Sequence, residues 1–145
     1  MKKVTIGLPF FNSETTLDLS IKSVINQSNK DWILLLINDG STDSSNDIAE
    51  KYFNSNENII YINDGKNLGL INRLNQIIDL ANTKYIARMD SDDIMMPDRI
   101  EKQLDIFERQ PDTDVVSSSV YSINDNNDVI GVRDYTIYDH SIESV

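Results

Sequence analysis

Ala87-Arg88-Met89-Asp90-Ser91-Asp92-Asp93 places three carboxylates within one short segment. An apolar run at 84–87 precedes them and predicts a buried strand, and Pro97 follows, which suits the first turn of a helix. The carboxylates therefore lie at the C-terminal end of a strand, where α/β sheets usually place their ligands. Such crowding favours a hard divalent cation, Mg²⁺ or Mn²⁺, accompanied by a phosphate. The alternative is an acidic loop that only caps the next helix.

Strand and helix patterns alternate four times along the chain. Apolar runs predict strands at 4–8, 33–37, 58–62, 84–87 and 115–120, and apolar residues at helical spacing predict a helix after each of the first four. The run at 33–37 is continuously apolar, as expected for a strand covered on both faces. A hairpin is predicted around 124–128. This order predicts an α/β fold, a doubly wound and mostly parallel sheet with helices on both faces.

Composition limits the classes of function. With 145 residues, one domain covering 1–145 is expected, and the weak pattern from Asp134 onward, which includes the lone His140, suggests the front part of a longer protein. The net charge of −11 argues against nucleic-acid binding and against a patch for anionic lipid. The absence of cysteine excludes disulfides and thiolate chemistry. Neither a signal peptide nor a membrane-spanning segment is evident, so a cytoplasmic location is predicted.

Four loops that follow strands should open on one edge of the sheet and supply an aromatic ring, a lone carboxylate, a cation and the acidic cluster. These parts suit a nucleotide diphosphate. Three of them have plainer readings: Phe10 and Phe11 as core, Asp39 as part of a turn with a helix cap, and Arg73 as a surface residue. Neither GxGxxG nor GxxxxGK[ST] is present, which argues against a dinucleotide oxidoreductase and an ATPase.

Four segments in this order resemble the nucleotide-binding part of family 2 glycosyltransferases, which have the GT-A fold. Residues 9–14 are similar to the family's Pro-x-Tyr-Asn-x-Glu, with Phe11 in place of tyrosine. Residues 38–43 are similar to Asp-Asp-Gly-Ser-Thr-Asp, with Asn38 in place of the first aspartate. Asn67-Leu68-Gly69 resembles its Asn-x-Gly, and residues 90–93 match its Asp-x-Asp-Asp metal motif. The resemblance runs from Val4 to about Val120.

The resemblance implies a role for each matching residue. Asp39 would contact the base or ribose of a nucleotide-diphosphate sugar, and Asp90 the ribose or donor sugar. Asp92, with Asp93 and Asp90, would hold Mn²⁺ or Mg²⁺ on the diphosphate. Arg73 stands one position earlier than the arginine that the family often has, so its phosphate contact is an open expectation. The nucleotide-sugar site would comprise Pro9, Phe11, Asn12, Glu14, Asp39, Gly40, Asn67, Gly69, Arg73, Asp90 and Ser91.

The implied activity is inverting transfer of a sugar, expected to be UDP-linked, to a saccharide or lipid-linked acceptor in cell-surface polysaccharide synthesis. Peripheral association of the full-length protein with the inner face of the membrane is left open. The family carries its general base on the acceptor side, so that residue is expected beyond Val145. Two alternatives remain at this point. One is a non-catalytic sugar-nucleotide-binding module, and the other is a Mg²⁺-binding receiver domain that would be phosphorylated at Asp64.

Overall fold

A computed structural model describes residues 2–134 of the chain, so His140 and almost all of the weakly patterned tail lie outside the described residues. Strands and helices alternate through the first 109 residues, and a hairpin follows. The elements are β1 (Val4–Phe10), α1 (Leu17–Ile25), β2 (Trp32–Asn38), α2 (Ser45–Ser55), β3 (Ile59–Asn63), α3 (Leu70–Leu80), β4 (Tyr85–Arg88), α4 (Arg99–Arg109), β5 (Val120–Ile123) and β6 (Val129–Arg133).

The first four strands form one parallel sheet in the order β3-β2-β1-β4. All seven residues of β1 are buried, and β2 is buried except at Ile33, as its apolar sequence predicts. Because the strands are parallel, their C-terminal ends meet along one edge of the sheet. The predicted α/β architecture with a mostly parallel sheet is therefore confirmed.

Helices cover both faces of this sheet. On one face, Ile77 of α3 packs against Leu35 and Ile37 of β2. On the other face, the Tyr61 hydroxyl of β3 donates a 2.7 Å hydrogen bond to Asn46 of α2. The connections between strands thus cross both faces of the sheet, as in a doubly wound fold. The loops that follow the parallel strands lie along one edge.

The chain divides into two compact units, residues 1–102 and 103–145. The first contains the parallel sheet with α1, α2 and α3. The described part of the second contains most of α4 and the antiparallel hairpin of β5 and β6, whose register shifts between Ser122 and Ile123. That residues 1–145 form a single domain stays a prediction.

Two strand predictions were wrong in detail. Residues 115–119 are not a strand, and the strand begins at Val120, where β6 provides a pairing partner; Val115 is 82% exposed. The strand β4 is only partly buried, with Ile86 45% exposed, because β4 is the outer strand of the described sheet. An apolar run indicates a strand only where a neighbouring backbone is there to pair with it.

Gly7 in β1 permits the close approach of α3. A methyl group placed on Gly7 would lie 2.5 Å from Cγ2 and 2.8 Å from Cδ1 of Ile77. We expect Gly7→Ala to lower the free energy of unfolding by about 1–3 kcal/mol, because the core must shift to accept the methyl group. Urea denaturation measures the change.

Gly131→Ala in β6 is the matched control for Gly7→Ala, since its added methyl group would lie 3.8 Å from Ser122 Cβ, an ordinary contact. We expect this control to leave stability almost unchanged. Equal effects of the two substitutions would mean that the approach of α3 does not limit the space at Gly7.

Candidate functional site

A cleft of about 690 Å³ lies at the C-terminal edge of the parallel sheet. It receives residues from all four loops that follow the strands, which is the convergence that the strand order predicts. Asp39 and Asp92, which are far apart in sequence, both line it. The lining residues are Pro9, Phe10, Phe11, Asn12, Ser13, Thr15, Thr16, Asp39, Asn67, Gly69, Leu70, Arg73, Asp90, Ser91 and Asp92.

Three residues expected at the site from the sequence, Glu14, Gly40 and Asp93, are not among those lining the cleft. Conversely, the sequence-based expectation omitted several residues of the loop after β1 that do line it. Of these, Thr15 and Thr16 directly precede α1. Their position in a loop at the carboxyl end of a strand is the sequence feature that could have predicted their place at the cleft.

Glu14 and Asn12 join the loop after β1 to the loop after β2. Glu14 accepts the Ser44 N–H at 3.0 Å and donates its own N–H to Asp43 at 3.0 Å. Asn12 Oδ1 accepts the Thr42 N–H at 2.8 Å. Glu14 therefore satisfies a free N–H group at the start of α2, and in this structure its contacts are those of a cap.

Asp39 is a buried carboxylate that holds the loop after β3. Its Oδ1 accepts the Leu68 N–H at 2.7 Å and the Arg73 Nε–H at 2.8 Å, and its Oδ2 accepts the Gly69 N–H at 3.0 Å. Burial alone would raise the pKa of Asp39, but the Arg73 guanidinium and the two N–H groups outweigh it and lower the pKa. Asp39 is thus an ionised group with fixed orientation at the cleft.

Arg73 is completely buried, contrary to the plainer reading of a surface residue. Its five N–H groups have five acceptor contacts, to Asp39 Oδ1, both oxygens of Asp64, Gln76 Oε1 and the Lys66 carbonyl. A guanidinium has five N–H donors. In this arrangement no donor of Arg73 remains for a phosphate, although its side chain borders the cleft.

Gly40 explains why the loops after β2 and β3 can meet. Its φ is +76°, a left-handed conformation that suits glycine, and a methyl group there would lie 3.0 Å from the Asn67 backbone nitrogen. Gly69, with φ +83°, starts α3 and directs its N–H toward Asp39. Both glycines therefore shape the cleft through the backbone.

Phe10 is the last residue of β1 and Phe11 the first residue of the loop after it, and their side chains lie in different environments. Phe10 is 2% exposed, and its ring stacks on Tyr61 with centroids 6.3 Å apart and planes 15° from parallel. Phe11 is 48% exposed at the cleft. Phe10 is thus a core residue, as its plainer reading had it, and Phe11 is the aromatic surface available to a ligand.

The three carboxylates of the acidic loop after β4, residues 90–93, lie in different environments. Asp90 pairs with Arg88 through contacts of 3.0 and 2.9 Å, and Asp92 is exposed at the cleft. Partial burial of the Asp93 carboxyl, and then the charges of Asp90 and Asp92, raise the pKa of Asp93. Within residues 2–134 no three acidic or histidine side chains converge into a complete metal cage.

The donor set nonetheless fits Mg²⁺ or Mn²⁺ held jointly with a ligand. Magnesium is usually bound through one or two carboxylates, with water and substrate phosphates completing its coordination. Asp92 and Asp90 offer hard oxygen ligands at the cleft, which is what such an ion requires. Asp93, which does not line the cleft, is less suited to this role.

No helix within the described range 2–134 has the length and apolar character needed to cross a membrane.

Comparison with known proteins identifies the family. The model of Glycosyl transferase family 2 matches residues 5–142. An uncharacterized glycosyltransferase of Methanocaldococcus jannaschii, MJ1057, is 33% identical over 129 residues, which are 88% of this chain and 44% of that protein. The chain therefore spans less than half the length of this relative.

Solved structures share the fold. TarS 1-349 of S. aureus in complex with UDP has a TM-score of 0.69 at 22% identity, covering 75% of this chain and 33% of that one. The mannosyltransferase PcManGT of Pyrobaculum calidifontis, in complex with GDP-Man and Mn²⁺, has a TM-score of 0.64 at 15% identity, covering 83% and 35%. The match of the family model to almost the whole chain, on a sheet of this topology, places the chain in glycosyltransferase family 2, with the GT-A fold.

Proposed function

We propose that the cleft binds a nucleotide-diphosphate sugar and that the full-length protein transfers the sugar to a saccharide or lipid-linked acceptor. The observation that carries this proposal is that one cleft is lined both by Asp39, a carboxylate of fixed orientation, and by Asp92, an exposed carboxylate. Membership of family 2 supports transfer and leaves no reason to retain the receiver-domain alternative. In addition, Asp64, the residue that alternative would phosphorylate, is paired with Arg73 at 2.7 Å.

The hydrogen bonds of Asp39 support uracil as the base. A carboxylate has about four acceptor positions, and three of those on Asp39 are occupied by Leu68, Gly69 and Arg73. One position remains, on Oδ2. Uracil presents a single imide N–H, whereas guanine presents adjacent N1–H and N2–H donors that need two acceptors. Phe11 offers an exposed ring on which a base can stack.

Asp92 and Asp90 are proposed to hold Mn²⁺ or Mg²⁺ against the diphosphate. The PcManGT structure, which contains Mn²⁺, supports a metal in this fold. When bound, such an ion supplies Lewis-acid stabilisation of the departing diphosphate. The chain's own part is to orient the donor, with Asp39 proposed to contact the base and Asp92 the metal-bound diphosphate in the same cleft.

Inversion by a single displacement is the proposed stereochemical course, because the family resemblance implies it. Such a displacement needs a general base that accepts the proton of the acceptor hydroxyl. In the part of the chain that the structure describes, the cleft offers no carboxylate beyond Asp39, Asp90 and Asp92. Since the chain spans 44% of its relative MJ1057, we assign the base to the acceptor side of the whole protein.

A calorimetric comparison of UDP and GDP in the presence of Mn²⁺ tests the donor. We expect UDP to bind at least about tenfold more tightly, because guanine would leave an unpaired buried donor, at a cost of about 1–3 kcal/mol. Tighter binding of GDP would overturn the assignment of the base. Binding of neither nucleotide would refute the donor site itself, whereas nucleotide binding without turnover of any UDP-sugar would favour the non-catalytic module.

A further inference from the structure

Helix α1 buries polar side chains on the side where an amphipathic helix normally carries apolar ones. Ser20 is 1% exposed, Ser23 is 9% exposed and Gln27 is fully buried. Ser20 and Ser23 are three residues apart on one face of the helix, and Gln27 lies two residues beyond its last residue, Ile25. We call these three residues the polar row of α1. Buried polar groups are retained where they satisfy other polar groups, so the partners of this row indicate its role.

All three residues of the polar row contact the backbone of the acidic loop and the residues that follow it. The Ser20 hydroxyl lies 2.8 Å from the Ser91 carbonyl oxygen and 2.7 Å from that of Asp93, so one proton serves both. The Ser23 hydroxyl accepts the Met95 N–H at 2.9 Å. Helix α1 therefore holds the backbone of the loop at Ser91 and Asp93, the residues on either side of Asp92.

Gln27 fixes the far end of the same segment. Its Oε1 accepts the Ile100 N–H at 3.1 Å, and its Nε2 donates to the Met96 carbonyl at 2.7 Å. Residues 89–98 contain neither helix nor strand, so most of their backbone groups need partners outside regular secondary structure. The polar row supplies several of those partners from α1 and the segment directly after it.

We infer that the polar row of α1 holds the acidic loop in its metal-binding conformation, which makes Ser20, Ser23 and Gln27 positioning residues for Asp92. The inference rests on the proposed function, since it needs Asp92 to be a metal ligand. None of the three lines the cleft, so each acts through the loop backbone and not by touching the ligand. Groups that orient metal ligands without contacting the metal influence metal affinity strongly.

The test compares Ser20→Ala and Ser23→Ala with the wild-type full-length protein. Alanine is the better helix former, so neither substitution weakens α1 itself. We expect Mn²⁺ affinity in the presence of UDP, measured by electron paramagnetic resonance, to fall by about tenfold. UDP affinity without metal, measured by calorimetry, should stay unchanged, because Asp39 is held by a different set of contacts.

A second readout and a control separate positioning from general destabilisation. Amide hydrogen exchange at Met95 should accelerate in Ser23→Ala, where its hydroxyl acceptor is lost. Ser55→Ala is the matched control, since Ser55 is an exposed serine whose hydroxyl contacts only its own helix, at the Tyr52 carbonyl. It should change neither metal affinity nor exchange at Met95.

The outcomes distinguish the inference from the function on which it rests. Wild-type protein that binds no Mn²⁺ overturns the proposed metal site and the inference with it. If the wild type binds Mn²⁺ and both variants bind it equally well, the inference alone fails. It also fails if metal-free UDP affinity falls by the same factor as Mn²⁺ affinity, because that result indicates a general loss of structure.

Discussion

Arg73→Met is expected to lower the free energy of unfolding by about 3–5 kcal/mol at pH 7, since it leaves a buried carboxylate without its partner. Arg73 is fully buried, and its Nε–H lies 2.8 Å from Asp39 Oδ1. It also binds the Lys66 carbonyl, so the loop after β3 loses one of its hydrogen bonds to α3. UDP affinity should fall as well, because Asp39 then loses its fixed orientation. Urea denaturation and calorimetry measure the two effects.

Two further variants identify the contact responsible. Asp64→Asn removes the more exposed partner of Arg73 and should change stability much less than Arg73→Met. Arg73→Lys should recover little of the stability lost in Arg73→Met, because an ammonium group cannot reproduce the planar set of donors that reaches Asp39 and Asp64 together. Full recovery by lysine would show that charge alone, and not the geometry of the guanidinium, stabilises this site.

Lowering the pH should reduce the difference in free energy of unfolding between the wild type and Arg73→Met. The Arg73 guanidinium lowers the pKa of Asp64 to about 2 and, against the effect of burial, helps to lower the pKa of Asp39. A carboxyl with a lowered folded-state pKa adds stability above its unfolded-state pKa of about 4 and loses it as pH falls toward the folded-state value. The difference should thus be complete at neutral pH and shrink below about pH 4. A constant difference throughout acid titration would contradict this account.

The sheet and its functional edge could be predicted from sequence because both follow from local patterns and one topological rule. The apolar run of β2 indicates a central strand, and alternation of strand and helix indicates parallel pairing. The rule that ligands bind at the carboxyl ends of strands then brings Asp39 and Asp92 together without any knowledge of long-range contacts. Ten of the thirteen residues expected at the site line the cleft.

The partners of individual polar residues could not be predicted in this way. An arginine on a helix looks the same in sequence whether it is solvated or buried, and the burial of Arg73 depends on Asp39 and Asp64, which belong to other segments. Glu14 matches the family pattern, but its partner Ser44 lies 30 residues away. The burial of Phe10 could have been predicted from the sequence, because Val4, Ile6, Leu8 and Phe10 recur at every second position and so share one face of β1.

Asp92→Asn is expected to reduce Mn²⁺ affinity by about 100-fold while leaving the fold intact. A direct ligand should matter at least as much as the surrounding groups that orient it, whose loss costs about 10–100-fold. Asp92 is exposed, so the free energy of unfolding should change by less than about 0.5 kcal/mol. Paramagnetic resonance of Mn²⁺ and urea denaturation measure the two quantities on the same protein.

Asp105→Asn in α4 is the matched control for Asp92→Asn, because the Asp105 side chain is 48% exposed and forms its ion pair with Arg109 on its own helix. It removes the same charge from the protein and should leave Mn²⁺ affinity unchanged. Asp93→Asn gives the sharper comparison, since Asp93 neighbours Asp92 in sequence but does not line the cleft. A loss of Mn²⁺ affinity in Asp93→Asn that exceeds the loss in Asp92→Asn would transfer the ligand role to Asp93. It would also require the acidic loop to rearrange when the metal binds, because its present conformation turns Asp92, and not Asp93, to the cleft.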